Sequence, residues 1–351
     1  MAVAVAVAAL AVLAAGHRTR TTSSPSTDDS TAAPPAPPVR TTTIPAAPRP
    51  PYAVGTISLT VTDPASGAVP ARSFTTDVRY PARSAVTAPG VAPAPLRGAG
   101  PFPLVVFSGG YAVSPEEYSV LLDAWAAAGF VVADPFYPAT TPTPGQDLDE
   151  GDIVHHPADL SAVITTLLAA DRGTATGTAS VLTGTIDTGA IAAVGHSDGG
   201  DVSLAAVANS CCRDPRLGAA VILSGAEDTL FPGSYFPAGP AVPLLVLQGT
   251  DDDINPPGCS VQLYDQAPPP KYYLSLAGQT HQSPYLEPGT ARDTVQQVVV
   301  DFLLGTLGHS SPALAAMARD GNVPGSSTLA VGGPSGVPAG ECPGAPGMSP
   351  G

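Results

Sequence analysis

The sequence predicts an α/β protein built on a mostly parallel sheet that is doubly wound, with helices on both faces. Short apolar runs alternate along the chain with segments whose apolar residues recur at helical spacing. Several of these runs are apolar throughout, which is typical of strands buried on both faces. Repeated strand–helix alternation of this kind favours a parallel sheet covered by helices on both sides.

The first strands and the first helix are predicted from three local patterns. Residues 56–63 and 73–82 alternate polar and apolar side chains, which predicts an antiparallel pair of strands. Residues 102–108 are almost all apolar and predict a buried strand. Pro115 then opens a helix and Gly129 ends it, because proline suits the first helical turn and glycine the position after the last.

The remaining elements repeat the alternation. Further strands are predicted at 130–135, 190–195, 219–225, 243–249 and 271–278. Further helices are predicted at 158–171, 199–209 and 290–307. In such a fold the loops that follow the parallel strands meet at one edge of the sheet, which is where ligands bind.

The two ends of the chain differ from this middle part. Residues 1–16 form an apolar run shorter than the ~20 residues that cross a bilayer, which predicts a signal peptide or an N-terminal anchor. Residues 17–51 are rich in Pro, Thr and Ser and predict a disordered linker, and residues 309–351 predict a flexible Gly/Pro-rich tail. A single domain is expected over residues 52–308, outside the cytoplasm, either secreted or held at the cell envelope.

Composition restricts the partners. The chain has 14 basic and 29 acidic residues, for a net charge of −15. A surface of this charge repels phosphate backbones, so no nucleic-acid partner is expected. The adjacent pair His155 and His156 has no partners at metal-ligand spacing, so we interpret it as part of a loop or helix start, and no metal or cofactor is predicted.

Four cysteines are present: Cys211, Cys212, Cys259 and Cys342. They form no C-x-x-C pair, which argues against a zinc or dithiol motif. An exported domain favours one or two disulfides. Three pairings are open, and a bridge between the neighbours Cys211 and Cys212 is the least favoured because it would be strained.

The stretch AVGHSDGGDVSLAA, residues 192–205, runs from an apolar strand directly into a helical pattern. It contains a G-x-S-x-G match around Ser197, which is weak evidence alone in a chain with 37 glycines. The strand before it and the helix after it are the context in which a sharp turn exposes a nucleophilic serine. Gly195 and Gly199 suit the crowding of that turn. Ser197 is the predicted nucleophile, and His196 is predicted to pack or to form a local hydrogen bond.

A serine hydroxyl needs an imidazole to accept its proton and a carboxylate to orient that imidazole. On this fold the acid and then the histidine follow the serine. Only His281 and His309 follow Ser197, and His309 lies beyond the last predicted helix. His281, in a loop after a predicted strand, is therefore the predicted base.

The acid is expected after the strand at 243–249. Asp251, Asp252 and Asp253 stand there side by side, and the residues alone do not select one of them. A solvated acidic turn or a calcium site is the alternative for this cluster. Asp134, at the end of an earlier predicted strand, is expected to serve the turn that follows, with a role as a secondary acid as the alternative.

The chain carries four blocks in one order: PLVVFSGGY, GHSDGG, VLQGTDDDINPP and LAGQTHQSPY. Together they resemble the α/β-hydrolase superfamily of serine esterases, and in particular its chlorophyllase-like, platelet-activating-factor-acetylhydrolase-like and cutinase-like members. The resemblance implies an α/β-hydrolase fold with a Ser-His-Asp triad. The family commonly places its acid at the fourth position of G-x-x-D, with a proline four residues later, which selects Asp252.

The oxyanion hole requires two backbone N–H groups. The residue after the nucleophile supplies one, which is Asp198 here. The family resemblance assigns the other to Tyr111, in the block that follows the strand at 102–108. Cutinase-like members commonly have Met or Gln at the position of Asp198, and an acidic side chain there disfavours anionic substrates.

Six aromatic residues fall in loops at the predicted active-site edge. As a group they would line an apolar acyl pocket, although half or more could serve only to pack the loops: Phe136, Tyr137, Phe231, Tyr235, Phe236 and Tyr285. The sequence thus predicts an exported serine esterase for neutral, short- to medium-chain esters. The alternatives are a lipid, phospholipid or polyester hydrolase and a catalytically inactive binding protein of the same fold.

Overall fold

The computed structural model describes residues 50–65, 69–85, 91–338 and 340–342. The predicted signal peptide or anchor and almost the whole predicted linker lie outside the described residues. The described residues belong to one compact unit, and they contain nine strands: β1 (Ala53–Asp63), β2 (Arg72–Ala82), β3 (Phe102–Ser108), β4 (Val131–Pro135), β5 (Ile186–His196), β6 (Ala219–Leu223), β7 (Leu244–Gly249), β8 (Lys271–Leu276) and β9 (Ser327–Val331).

All nine strands join one sheet in the order β1-β2-β4-β3-β5-β6-β7-β8-β9. The six strands from β4 to β8 in this order are parallel to one another. The strands β1 and β2 form the antiparallel pair that their alternating patterns predicted. The sequence prediction of an α/β protein with a mostly parallel sheet is therefore confirmed, and the architecture is compatible with an α/β-hydrolase-like fold.

Helices cover both faces of the sheet. They are α1 (Ser119–Ala128), α2 (His156–Asp171), α3 (Asp198–Ala208), α4 (Pro257–Gln266), α5 (Ser283–Leu286), α6 (Thr290–Thr306) and α7 (Ser311–Asp320). Side chains from α2, α3 and α4 share one apolar core with Leu104 and Val106 of β3, and side chains from α1 and α6 share a second core with Val105 and Phe107. Because neighbouring residues of a strand point to opposite faces, one apolar strand serves both cores.

The predicted flexible tail is wrong for residues 311–331. The helix α7 buries Ala313 and Met317, and β9 pairs antiparallel with β8, the last of the parallel strands, and buries Leu329. The prediction relied on the overall Gly and Pro content of the tail, which gives no weight to these few well-spaced apolar residues. The edge of β8 also offers unpaired backbone groups, which β9 satisfies.

Two disulfides link the four cysteines as Cys211–Cys212 and Cys259–Cys342. The prediction that placed the vicinal pair last is therefore wrong. The chain after β9 returns to the start of α4, where a Cβ on Gly258 would lie 2.6 Å from the backbone of Gly340, so Gly258 leaves no room for a larger residue. Cys342 thereby meets Cys259, which leaves the two neighbours after α3 to pair with each other. Disulfides persist in oxidising compartments, so this finding favours a location outside the cytoplasm.

One helical stretch within the described residues, Glu150–Asp171, is long and apolar enough to cross a membrane. More than half of it is buried inside the protein, where α2 packs against the sheet. A core helix of a folded domain has the same length and composition, and its burial here accounts for its apolar character.

Candidate active site

Three side chains converge where the parallel strands end. Ser197 follows β5, Asp252 follows β7 and His281 follows β8. The carboxyl ends of parallel strands lie at one edge of a sheet, so residues far apart in sequence become neighbours there.

The turn that carries Ser197 has an uncommon backbone shape. Ser197 has φ 56° and ψ −128°, and positive φ is rare for a residue with a side chain. A Cβ on Gly195 would overlap the carbonyl oxygen of Gly199, and a Cβ on Gly199 would overlap that of Ser108. The two glycines thus permit a turn that holds the hydroxyl of Ser197 above the sheet edge, at a backbone cost of about 1–3 kcal/mol.

The three predicted residues form a hydrogen-bonded series. The Oγ of Ser197 lies 2.8 Å from Nε2 of His281, and Nδ1 of His281 lies 2.8 Å from Oδ2 of Asp252. His281 and Asp252 are each 4% exposed, whereas Ser197 is partly exposed. With the proton of His281 on Nδ1, the imidazole donates to Asp252 and its Nε2 accepts from the hydroxyl of Ser197.

Four hydrogen-bond donors surround the carboxylate of Asp252. Besides His281, its oxygens accept from Gln248 Nε2 at 2.8 Å, from the N–H of Ile254 at 3.0 Å and from the N–H of Asn255 at 2.9 Å. Burial alone would raise its pKa, but the hydrogen bond and charge of His281, with the other donors, outweigh burial and hold the pKa below its usual value. Asp252 is therefore an ionised carboxylate at neutral pH.

Asp251 and Asp253, the other two candidates for the acid, are exposed. The carboxylate of Asp251 accepts from the hydroxyl of Thr250 rather than from a histidine. Asp134, the further candidate, is buried beside Arg79 at 3.5 Å, and burial raises its pKa to about 8. The geometry thus selects Asp252 as the partner of His281.

Two backbone segments border Ser197 where an oxyanion would form. The loop after β3 passes so close that a Cβ on Gly110 would lie 3.1 Å from Cβ of Ser197, and Tyr111 follows directly. Asp198 is the first residue of α3, where backbone N–H groups have no acceptor within the helix. The two predicted donors, Tyr111 and Asp198, therefore belong to the segments that flank the nucleophile.

The side chain of Asp198 is largely buried beside the nucleophile. Burial, together with the charges of Glu150 and Asp228, raises its pKa to about 7, and its Oδ2 is buried without a hydrogen-bond partner. Burial also raises the pKa of Asp201, one turn further along α3, well above its usual value. The start of α3 thus holds carboxyl groups that favour the neutral form.

The six predicted pocket aromatics do not form one pocket. Tyr137 and Tyr285 are buried, and their hydroxyls lie 3.1 Å and 2.9 Å from the hydroxyls of Ser108 and Ser224. They pack the loops, because a buried tyrosine hydroxyl needs a polar partner and serines at the strand ends supply it. The others are placed separately: Phe231 and Tyr235 line a cavity of about 370 Å³, Phe236 lines a different pocket, and Phe136 is half-buried.

The histidine pair lies at the start of a helix, as predicted. His156 begins α2, and its ring stacks on that of Tyr137 with 4.3 Å between centroids. Its Nε2 lies 3.4 Å from the carboxylate of Asp152. Among the described residues, no group of three or more His, Cys, Asp or Glu side chains is placed to hold a metal ion.

Sequence reasoning missed the residues that support the triad. Gln248 and Asn255 flank Asp252, and the side chain of Asn255 also donates to the carbonyl of Ser224 at 2.7 Å. A glutamine at the end of an otherwise apolar strand is the pattern that could have indicated Gln248. Tyr118, which lies beneath the nucleophile, has no pattern of this kind, whereas His196 is buried and hydrogen-bonded, as predicted.

Two comparisons with known proteins were negative. No protein-family model matches the chain, and no curated protein matches it.

Proposed function

We propose that the protein is a serine esterase that hydrolyses carboxylic esters through an acyl-enzyme. The observation that carries the proposal is the hydrogen-bonded series from Ser197 through His281 to Asp252, with the serine on a turn of positive φ. A nucleophile, a base and a carboxylate that orients the base are the groups that ester hydrolysis by this route requires.

Each residue has a defined role in the proposed reaction. The Oγ of Ser197 attacks the ester carbonyl while Nε2 of His281 accepts its proton. Asp252 stays ionised and stabilises the imidazolium. The backbone N–H groups of Tyr111 and Asp198 stabilise the oxyanion. The leaving alcohol takes the proton from His281, and a water activated by the same histidine then releases the acid.

Neutral esters are the proposed substrate class. The chain carries a net charge of −15, and the carboxyl of Asp198 lies next to the nucleophile. The net charge repels an anionic acyl or alcohol group, and Asp198 adds to the repulsion as it ionises above about pH 7. We further propose that the domain works outside the cytoplasm, which its two disulfides and its apolar N-terminal run support.

A fluorophosphonate probe with peptide mapping tests the proposal, together with turnover of p-nitrophenyl butyrate. We expect one adduct per chain, on Ser197, and an active protein. Ser197→Ala should remove both labelling and turnover, whereas Ser58→Ala, at an exposed position on β1, should retain both. Labelling that persists in Ser197→Ala would disprove the assignment, and an unlabelled, inactive native protein would support the inactive-binding alternative.

A further inference from the structure

A buried chain of hydrogen bonds lies beneath the nucleophile and joins two loops of the site. The N–H of Gly110 donates to the hydroxyl oxygen of Tyr118 at 3.1 Å. That oxygen lies 2.7 Å from Nδ1 of His196, and Nε2 of His196 lies 2.9 Å from the backbone carbonyl oxygen of His281. Tyr118 and His196 are both 0% exposed, so water cannot substitute for any of these contacts.

The chemistry of its two ends fixes the direction of this chain. A backbone N–H can only donate, so the oxygen of Tyr118 accepts from Gly110 and its own proton goes to Nδ1 of His196. A backbone carbonyl can only accept, so Nε2 of His196 carries the hydrogen that His281 receives. The neutral Nε2–H tautomer of His196 therefore satisfies every group in the chain.

The environment of His196 keeps it in that neutral form. Burial, and then the neighbouring charge of His281, lowers the pKa of His196 to about 3. A protonated ring would donate from both nitrogens and leave the hydroxyl proton of Tyr118 without its acceptor. The direction of the chain is thus constant across the pH range in which a histidine base works.

We propose that Tyr118 and His196 are positioning residues. They hold the loop after β3, which carries Tyr111, at a fixed distance from the catalytic base His281. The inference rests on the proposed esterase function. At one end of the chain, Gly110 directly precedes Tyr111, whose N–H is the proposed oxyanion donor. At the other end, the bonded carbonyl belongs to His281 itself. One rigid connection therefore sets the distance between the two groups that act on the reacting carbonyl.

The packing around His196 supports this role. Its ring centroid lies 4.9 Å from that of His281 and 4.7 Å from that of Tyr285. The hydroxyl of Tyr285 bonds to Ser224 and to the carbonyl of Leu247, at the ends of β6 and β7. The ring of His196 is thereby packed between the catalytic base and a tyrosine that is bonded to the sheet. A displacement of about 1 Å in a catalytic site can lower the rate about 100-fold.

Tyr118→Phe tests the inference directly because it keeps the ring and removes the hydroxyl. We expect kcat for p-nitrophenyl butyrate to fall about tenfold with KM within about twofold, since the loss affects geometry in the transition state rather than substrate binding. Tyr273→Phe is the matched control, because Tyr273 is also buried and bonded to a serine hydroxyl, Ser260 at 2.9 Å, away from the triad. Its kcat should equal that of the native protein.

A double variant separates one connected chain from two independent structural effects. In His196→Gln the amide reaches the position of Nε2 and can still donate to His281, but it cannot accept from Tyr118. Adding Tyr118→Phe to His196→Gln should therefore lower kcat no further. Losses that multiply would contradict a connected chain.

Nitrogen-15 NMR of the histidines gives a readout that does not depend on turnover. The native protein should show His196 as a single Nε2–H tautomer. Tyr118→Phe should keep that tautomer, because the carbonyl of His281 still requires a donor, but it should shift the Nδ1 resonance, which loses the hydrogen bond from Tyr118. Fluorophosphonate labelling of native Ser197 first establishes the esterase. If native Ser197 is not labelled, the proposed function and this role fail together. If it is labelled and Tyr118→Phe matches Tyr273→Phe in kcat, or His196 carries its proton on Nδ1, the positioning role alone is overturned.

Discussion

The turn that carries Ser197 and the loop that carries Asp252 each hold a carboxyl group whose pKa is affected by His281. In the loop after β7, Asp252 accepts hydrogen bonds from His281, Gln248 and two backbone N–H groups, and its pKa is lowered. In the turn after β5, Asp198 has an oxygen with no partner, and its pKa is raised to about 7. Burial penalises both charges. The hydrogen bonds and the charge of His281 offset it at Asp252, whereas the charges of Glu150 and Asp228 add to it at Asp198.

The backbones of these two regions also differ in what determines their shape. The nucleophile turn is fixed by steric fit, because Gly195 and Gly199 leave no room for a Cβ. The acid loop is fixed by hydrogen bonds, because Oδ1 of Asp252 accepts from the N–H groups two and three residues ahead. Substitutions in the loop should therefore affect the charge and orientation of the site, and substitutions in the turn should affect folding.

The largest effect is expected from Asp252→Asn. The amide cannot hold His281 in the tautomer that accepts a proton from Ser197, so kcat should fall on the order of 10⁴-fold. Asp251→Asn is the matched control, because Asp251 is the exposed neighbour and does not contact His281. Steady-state kinetics on p-nitrophenyl butyrate measures kcat of both variants. Equal losses of kcat would contradict the assignment of Asp252, and not Asp251, as the partner of His281.

Gly199→Ala should damage folding rather than chemistry. The added Cβ would overlap the carbonyl oxygen of Ser108, and overpacking onto rigid backbone costs about 3 kcal/mol. Gly189→Ala provides the comparison, because a Cβ there meets nothing closer than 3.6 Å. Urea denaturation gives the free energy of unfolding of each. A Gly199→Ala protein as stable as the native one would contradict the steric account of the turn.

The smallest effect is expected from Asp198→Asn and depends on pH. As pH rises through about 7, Asp198 ionises next to the developing oxyanion, so kcat/KM of the native protein should fall by about threefold above pH 8. Glu150, Asp228 and His281 are the charged neighbours that act on Asp198. The Asn variant should keep a constant rate over this range, and a decline that survives the substitution would assign it to another group.

The same substitution has a consequence for stability. The folded-state pKa of Asp198 lies above that of an unfolded chain, so the folded protein binds the extra proton. This contribution to stability is complete below about pH 4 and is lost as pH rises through about 7. Urea denaturation at pH 5 and pH 8 should therefore show a smaller loss of stability with pH in Asp198→Asn than in the native protein.

Local patterns were sufficient to predict eight of the nine described strands and the candidate nucleophile. The alternation in β1 and β2, the apolar runs of the parallel strands and the glycines around Ser197 each reflect a constraint that acts within a few residues. The order of serine, acid and histidine then selected His281. The choice of Asp252 among three neighbouring aspartates came from a family resemblance. The hydrogen bonds from Gln248, Ile254 and Asn255 explain physically why Asp252 is the ionised partner of His281.

What the sequence did not reveal depends on contacts between distant segments. Tyr118 and His196 are 78 residues apart, and their hydrogen bond exists only because the fold brings the residue before α1 to the end of β5. The pairing of Cys259 with Cys342 follows from the path of the chain after β9. Tyr137 and Tyr285 were grouped with pocket aromatics because their loops are close to the site, yet serines at the strand ends draw them into the core.

Covalent capture of the reaction intermediate tests the central claim most directly. The native protein is mixed with p-nitrophenyl butyrate, quenched in acid within the first turnover and digested for mass spectrometry. The account predicts one butyryl group per chain, on the peptide that contains Ser197, at a level that Asp252→Asn strongly reduces. Turnover of the ester with no acyl group on Ser197, or with the acyl group on another residue, would contradict it.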